Sequence, residues 1–367
     1  MHVAIFRDGP WLPAKEGGSF GINQMIQALM KKHIRVTLVR CYRGWDNITL
    51  YKKEKYTSIL LREADFYGRS EFITGLLAKA HVDAAHFDSP EILNVYAEAL
   101  HNSHIPIVWE VHNIHSDLLQ QLGYNRKRIL AIANRERTAA NACDAVLCRS
   151  SSDANKLINI SGISRHKVFI YNGCIDTKPL EKLRPAPSSM RIVTFGNFYY
   201  EPNKRMLVNL VSIMREMEKV EKDIMLDVIG DIPPALRRKV ESTNIKVHGF
   251  IPDLANAIRR NSILVAPIDS GSGTRVKLLV AMASGMPVIT TTKGAEGLDL
   301  RGSVIISDDL TEYPKLIMYL LHNKRLYACL SAKGRKLVQK EYDWFGQIDQ
   351  VISAYRFVAT PKPTSGA

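Results

Sequence analysis

The sequence predicts an α/β protein made of two domains in tandem, each a parallel sheet wrapped by helices. Short apolar and β-branched runs alternate with amphipathic helical segments from end to end, the pattern of strands joined by helical crossovers. The alternation is interrupted once, at "DTKPLEKLRPAPSSM", where Pro179, Pro185 and Pro187 among Ser and Lys mark a linker. A chain of 367 residues can fill two cores of ordinary size.

In the first half, strands are expected at "HVAIF", "RVTLVRC", "TSILL", "AAHFD", "PIVWEVH", "AVLCRS" and "KVFIYNG". Between the first two lies "SFGINQMIQALMKKH", with Ile22, Met25, Ile26 and Leu29 at helical spacing. "ERTAANACD" and "SDANKLIN" read as further helices, the second capped by its opening Ser and Asp. After the linker the strands are "RIVTFGN", "IMLDVIG", "IKVHGF", "ILVAPID", "PVITTT" and "SVIIS". The expected boundaries are a first domain over 1–176, a linker over 177–189, a second domain over 190–342, and a helix with a tail over 343–367. That last segment can pack back across either domain and is assigned to the N-terminal one. Open parallel sheets take ligands at the carboxyl ends of their strands, so both domains are expected to face one cleft.

With 46% apolar and 23% charged residues, the composition is that of a globular protein. No apolar run approaches the roughly 20 residues that span a bilayer. "MHVAIFRDGPW" reads as a first strand rather than a signal peptide. Cys41, Cys143, Cys148, Cys174 and Cys329 form no C-x-x-C pair, so reduced thiols in a cytoplasmic protein are expected, without disulfide or zinc. The formal charge of +14 calls for an anionic partner or a solvated basic surface. Nucleic acid is set aside because no RNP-type aromatic motif, zinc finger or helix-turn-helix is present. An anionic membrane surface, met peripherally from the cytoplasmic side, and a phosphate-bearing substrate remain.

The most informative stretch is "DSGSGTRVKLLVAMASGMPVIT", residues 269–290. A strand, then Gly271, Ser272, Gly273 and Thr274, then a helix, points backbone N–H groups at an anion, and Arg275 and Lys277 add charge-assisted donors. A dinucleotide fingerprint would need glycine where Val276 stands, which argues against a nicotinamide enzyme. A Walker loop is also absent.

With "VAMASG", "PVIT" and "GAEGL" following, this run resembles the nucleotide-sugar site of the retaining family 4 glycosyltransferases (the glycosyl transferases group 1 type), which have the two-domain GT-B fold. The resemblance extends along the chain through "EGGSFGINQMIQALMKKHIRVTLV", "VWEVHNIHS", "ERTAANACDAVLCRSSSDANKL", "VFIYNGCID", "VTFGNFYYEPNKRMLVNLV" and "VHGFIPDL". It implies that Gly17 and Gly18 begin a loop approaching the donor, and that His112 faces the reacting sugar. Gly196 begins the loop bordering the nucleotide, and Lys204 corresponds to a phosphate-binding lysine. Arg275 and Lys277 neutralise the diphosphate, with Ser272, Gly273 and Thr274 beside them. Phe250 and Ile251 flank the base, and Gly294, Ala295 and Glu296 meet the donor sugar. No metal or other cofactor is implied, and no D-x-D motif stands near a strand end. One departure concerns the E-x7-E pattern of many relatives, whose two positions here are Ser272 and Val280. Valine cannot accept a hydrogen bond from a ribose diol, so either a neighbour such as Asp269 substitutes, donor binding weakens, or the protein is a silent GT-B protein that binds a sugar nucleotide or a partner. The implied activity is transfer of a sugar from a nucleotide diphosphate sugar, UDP first, to a glycan, a lipid-linked or a small-molecule acceptor.

Overall fold

The computed structural model describes residues 1–8, 17–42, 55–183, 185 and 189–360. Residues 9–16, much of "YRGW" and "YKKEK", and Arg184 and Pro187 of the expected linker lie outside the described residues. Two compact units are present. The first is Met1–Asn172 together with the chain from Gln347, and the second is Gly173–Gly346.

The first unit runs β1 (His2–Arg7), α1 (Gly17–Lys31), β2 (Arg35–Cys41), β3 (Thr57–Leu61), α2 (Glu63–Gly68), α3 (Ser70–Lys79), β4 (Ala84–Phe87), α4 (Pro90–Asn102), β5 (Ile107–Val111), α5 (His115–Gln121), α6 (Arg126–Ala142), β6 (Ala145–Cys148), α7 (Ser151–Ser161) and β7 (Val168–Ile170). Its strands form one parallel sheet in the order β3-β2-β1-β4-β5-β6-β7. β1, β4, β5 and β6 are buried throughout, as expected of strands covered on both faces.

Gly17 and Gly18, expected in a loop, are instead the first two residues of α1. The first helical turn has no intrahelical partner for its N–H groups, so glycine costs less there than in a helix interior. α7 also begins earlier than expected. Ser150, not Ser152, is its cap, accepting from Asp153 N at 3.1 Å with an extended backbone. Gly162 closes α7 at φ 71°.

The second unit contains β8 (Arg191–Phe195), α8 (Glu201–Met217), β9 (Met225–Ile229), α9 (Pro234–Val240), β10 (Ile245–Gly249), α10 (Leu254–Ile258), β11 (Ile263–Ala266), α11 (Val276–Ala283), β12 (Val288–Thr290), α12 (Thr292–Ala295), β13 (Ile305–Ile306), α13 (Tyr313–His322) and α14 (Lys324–Glu341). Its parallel sheet has the order β10-β9-β8-β11-β12-β13. Ile175, expected in the first domain, and Leu180, expected in the linker, are both buried in this unit's core. The last helix, α15 (Trp344–Ala359), begins in the second unit and continues in the first. There Tyr355 OH lies 2.8 Å from His86 Nδ1.

In each sheet the strand order reverses beside one strand, β1 in the first and β8 in the second, and the crevice outside the strand ends at such a point is where doubly wound sheets take ligands. In the second unit this end is drawn tight by backbone contacts. Gly196 N donates to Ile229 O at 3.0 Å, and Gly230 N to Gly249 O at 2.7 Å. A Cβ on Gly230 would fall 1.9 Å from Gly196 O, at a φ of 132°. Gly230→Ala is therefore expected to destabilise the protein by about 2 kcal/mol or more. Gly75→Ala, in α3 with nothing near the new methyl, should stabilise by about 0.5–1 kcal/mol. Urea unfolding of both variants beside the parent checks the pair.

Candidate functional site

Two polar clusters stand at or near the carboxyl ends of the strands, one in each unit. In the second, three chain segments converge after β8 and β11. Gly196 follows β8, and a Cβ there would meet Asn203 Nδ2 at 3.0 Å and Lys277 Nζ at 3.4 Å. Asn203, in the first turn of α8, donates to Asn197 O at 2.8 Å and accepts from Lys277 Nζ at 2.7 Å. Lys277 stands second in α11 and also reaches Met206 Sδ at 3.4 Å. Among the described residues no carboxylate lies within ion-pair distance of it. Loss of hydration and the adjacent Arg275 guanidinium push the Lys277 ammonium down to about 7.

Arg275, expected to face a ligand phosphate, is 8% exposed and folded onto its own loop. Its Nη1 donates to Ser272 O at 2.8 Å and to Gly273 O at 2.9 Å, and its Nη2 to Gly271 O at 3.0 Å. Gly271 and Gly273, at φ 125° and 74°, give the loop the turn that brings these carbonyls round the guanidinium. Nη2 also reaches Lys293 O at 3.4 Å, and Thr291 Oγ1 donates to Ile268 O, so the loop after β11 is tied to the turn after β12. In that turn Gly294 N donates to Thr291 Oγ1 at 2.8 Å. A Cβ on Gly294 would lie 2.0 Å from Thr290 Oγ1, which excludes any side chain. Ala295 ends α12, and Glu296 beyond it pairs with Lys293.

The other residues singled out in this unit are more dispersed. Lys204 is paired with Glu201 at 2.9 Å on the outer side of α8. Its neighbour Arg205 reaches back to Asp269 at 3.1 Å. Phe250 and Ile251 directly follow β10, and Ile251 packs against the core. Thr274 is half-buried, and its side chain fills the space a Cβ on Gly173 would need. Val280 is 7% exposed and belongs to the core with Leu278 and Leu279. Asn203 and Met206, which meet Lys277, were not singled out by sequence. Their place in the first turns of a helix entered from a glycine loop was the available signal.

In the first unit, β5 sends Trp109 and Val111 into the core, so Glu110 and His112 share the opposite face. Glu110 is completely buried. Its Oε1 accepts from Arg149 Nε at 3.0 Å, from Arg149 Nη2 at 2.6 Å and from Tyr171 OH. Its Oε2 faces His86 Nε2 at 3.1 Å. Although burial opposes ionisation, His112 and Arg149 beside it and the hydrogen bonds it receives hold the Glu110 carboxyl well below the usual carboxylate range. His112 is 18% exposed, with Nε2 3.1 Å from Arg149 Nη2 and 3.3 Å from Glu110 Oε1. Desolvation, and next the Arg149 charge, lower its pKa, so the ring is neutral at pH 7. His115, three residues on, turns away into α5. Its N–H donates to Glu136 Oε1 at 2.6 Å, and Ser116 donates to the same carboxylate. Glu136 thereby anchors the segment that leaves His112 and satisfies the open end of α5. Sequence singled out His112 but not Glu110, Arg149, His86 or Tyr171. An acid in "VWEVH" on a strand otherwise apolar was the visible sign of a buried partner.

Replacing Glu110 by Gln leaves Arg149 buried beside an uncharged amide, which is expected to cost about 3 kcal/mol at pH 7. The contribution of a carboxyl whose folded pKa is depressed is complete above the unfolded value, near 4.5, and is lost as pH falls through the lower folded value. The gap between parent and Glu110→Gln in urea unfolding should therefore narrow below about pH 4.5.

A family model described as Glycosyltransferase Family 4 matches residues 16–178, and one described as Glycosyl transferases group 1 matches residues 189–323. The chain is 29% identical over 220 residues to phosphatidyl-myo-inositol mannosyltransferase of Mycobacterium leprae (strain TN). That match takes in 57% of this chain and 58% of the relative, so the chain spans little more than half of that protein's length. Among solved structures, the glycosyltransferase from Rickettsia africae ESF-5 superposes with a TM-score of 0.78 at 13% identity, covering 98% of this chain and 99% of that one. Anabaena HepE in complex with UDP and glucose gives 0.74 at 14%, over 97% and 99%. Sucrose-phosphate synthase from Thermosynechococcus elongatus gives 0.78 at 16%, over 97% and 98%. At these identities the superpositions establish the shared fold.

Proposed function

Because the chain belongs to the family 4 glycosyltransferases, with the GT-B architecture of two Rossmann-like domains, we propose that it is a retaining, metal-independent hexosyltransferase. The donor is a nucleotide diphosphate sugar, UDP-linked in the first instance and GDP-linked in the second. The acceptor is a hydroxyl of a glycan, a lipid-linked or a small-molecule acceptor. The observation that carries this reading is Lys277, whose ammonium is desolvated beside Arg275 and held at the meeting point of Gly196 and Asn203. An anion placed there relieves the repulsion between the two cations. The UDP in the HepE structure supports a nucleotide diphosphate as that anion.

In the proposed reaction the bond from the anomeric carbon to the diphosphate breaks while the acceptor oxygen bonds to the same face of that carbon. The acceptor proton passes to the departing phosphate oxygen. Lys277 and Arg275 neutralise the charge on the leaving group, the role that a preorganised cationic site performs. Arg275 also holds the loop 271–273 in shape, so that the backbone N–H groups at the start of α11 stay near the phosphates. Neutral His112 meets the reacting sugar. On the first unit, Tyr124 and Leu130 are 40% and 51% exposed beside Arg126, Lys127 and Arg128. Apolar side chains among bases suit an anionic, lipid-linked acceptor at a membrane surface. Val280 favours a second reading, a silent protein that holds a sugar nucleotide without transferring the sugar, since its buried side chain offers the ribose no acceptor.

Thermal unfolding against UDP, GDP, ADP and dTDP tests donor binding, because ligand at about 100 times its Kd stabilises by roughly 2.7 kcal/mol. Arg275→Ala is expected to abolish most of that shift, whereas His112→Ala keeps it and lowers sugar transfer by about a hundredfold. An Arg275→Ala protein that binds every nucleotide like the parent would sink the diphosphate site. Sugar nucleotide binding with no turnover of any donor would favour the silent reading.

The lowered Lys277 pKa adds a pH signature. Phosphate stabilises the ammonium form, so UDP binding at pH 8 should take up a fraction of a proton that vanishes below about pH 6. Calorimetry in buffers of different ionisation enthalpy measures it, and Lys277→Met should remove it.

A further inference from the structure

The proposed transfer assigns no role to the most deeply buried charge of the first unit. Glu110 receives Arg149 and Tyr171 on one oxygen and faces His86 with the other, and His86 is in turn met by Tyr355 of α15 at 2.8 Å. Replacing such a cluster by well-packed apolar residues is often neutral or stabilising, so its geometry invites a functional explanation. The explanation lies at its open end, where Arg149 Nη2 stands 3.1 Å from His112 Nε2.

A guanidinium nitrogen is a donor only. The contact therefore requires a lone pair on Nε2, and a neutral His112 must then carry its proton on Nδ1. The other tautomer would direct Nε2–H at Glu110 Oε1, 3.3 Å away, but it would set N–H against N–H at Arg149. That oxygen also already accepts from Arg149 and Tyr171. We propose that Glu110 and Arg149 are positioning residues: the carboxylate orients the guanidinium, and the guanidinium fixes His112 in the Nδ1–H tautomer, so that the ring presents a hydrogen-bond donor to the sugar rather than a base. This rests on the reading of His112 as the residue that meets the reacting sugar. Gly21 of α1 lies beside the arrangement, where a Cβ would make ordinary contact with Arg149 Nη2 at 3.6 Å. Asp88, close enough to His112 to favour its charged form, is itself paired with Arg7.

The tautomer is read by 15N NMR of the full chain labelled in histidine, with His112 assigned by comparison with His112→Gln, because protonated and bare ring nitrogens resonate far apart. At pH 7.5 the parent should show a protonated Nδ1 and a bare Nε2. Arg149→Lys keeps the charge but loses the fork that reaches Glu110, Tyr171 and His112 together. In that variant His112 should move largely to the Nε2–H form, and UDP release from UDP-glucose should fall about tenfold in kcat with KM within twofold. If Arg149→Lys does not fold, Tyr171→Phe, which removes only a hydroxyl from the cluster, should shift the tautomer in part. A merely structural role would lower the melting temperature and leave the tautomer alone. A parent with Nε2 protonated, or a folded Arg149→Lys protein with parental tautomer and kcat, overturns the inference. His112→Ala with parental UDP release would instead fail the reading of His112 itself, and the role of the network in transfer with it.

Discussion

A parallel sheet covered on both faces has no wet side, and that constraint governs where chemistry can sit in this molecule. Strands such as β1, β5 and β6 are buried along their length, so a polar side chain within them must find partners inside the protein or be pushed to the strand ends. Glu110 took the first course, answered by Arg149, Tyr171 and His86. Arg275 and Lys277, beside Gly196, took the second. They stand where β8 and β11 end, on either side of the point at which strand order reverses.

The same constraint explains the different characters of the two clusters. In the first unit a buried carboxylate has its cation, and the result is an oriented network with His112 partly exposed. In the second, backbone carbonyls accept from Arg275 Nη1 and Nη2, and a side-chain amide accepts from Lys277. Two cations held side by side, with the Lys277 ammonium desolvated, are the electrostatic condition of a site suited to an anion. The glycines of this region serve close approach as much as flexibility. Gly230 admits the Gly196 carbonyl and Gly294 admits Thr290, letting neighbouring turns press together behind the cations.

The sequence by itself determined the class of fold, all thirteen strands among the described residues, the break between two α/β units and the family, because alternation, turn chemistry and short motifs are local properties of the chain. It also placed Arg275, Lys277 and His112 at strand ends or helix starts. Local pattern does not specify direction or partnership, and these were decided by tertiary structure. Arg275 turns onto its own loop because three carbonyls are within reach there. Lys277 meets Asn203 and Met206, 74 and 71 residues away in sequence. Gly17 and Gly18 join α1, Ile175 leaves the expected first domain for the second unit's core, and Leu180 leaves the expected linker for the same core. The partnership of Glu110 with Arg149, and of His86 with Tyr355 across 269 residues, was illegible for the same reason. A buried charge reveals in sequence that it needs a partner, while only the packing of strands and helices around it selects which one.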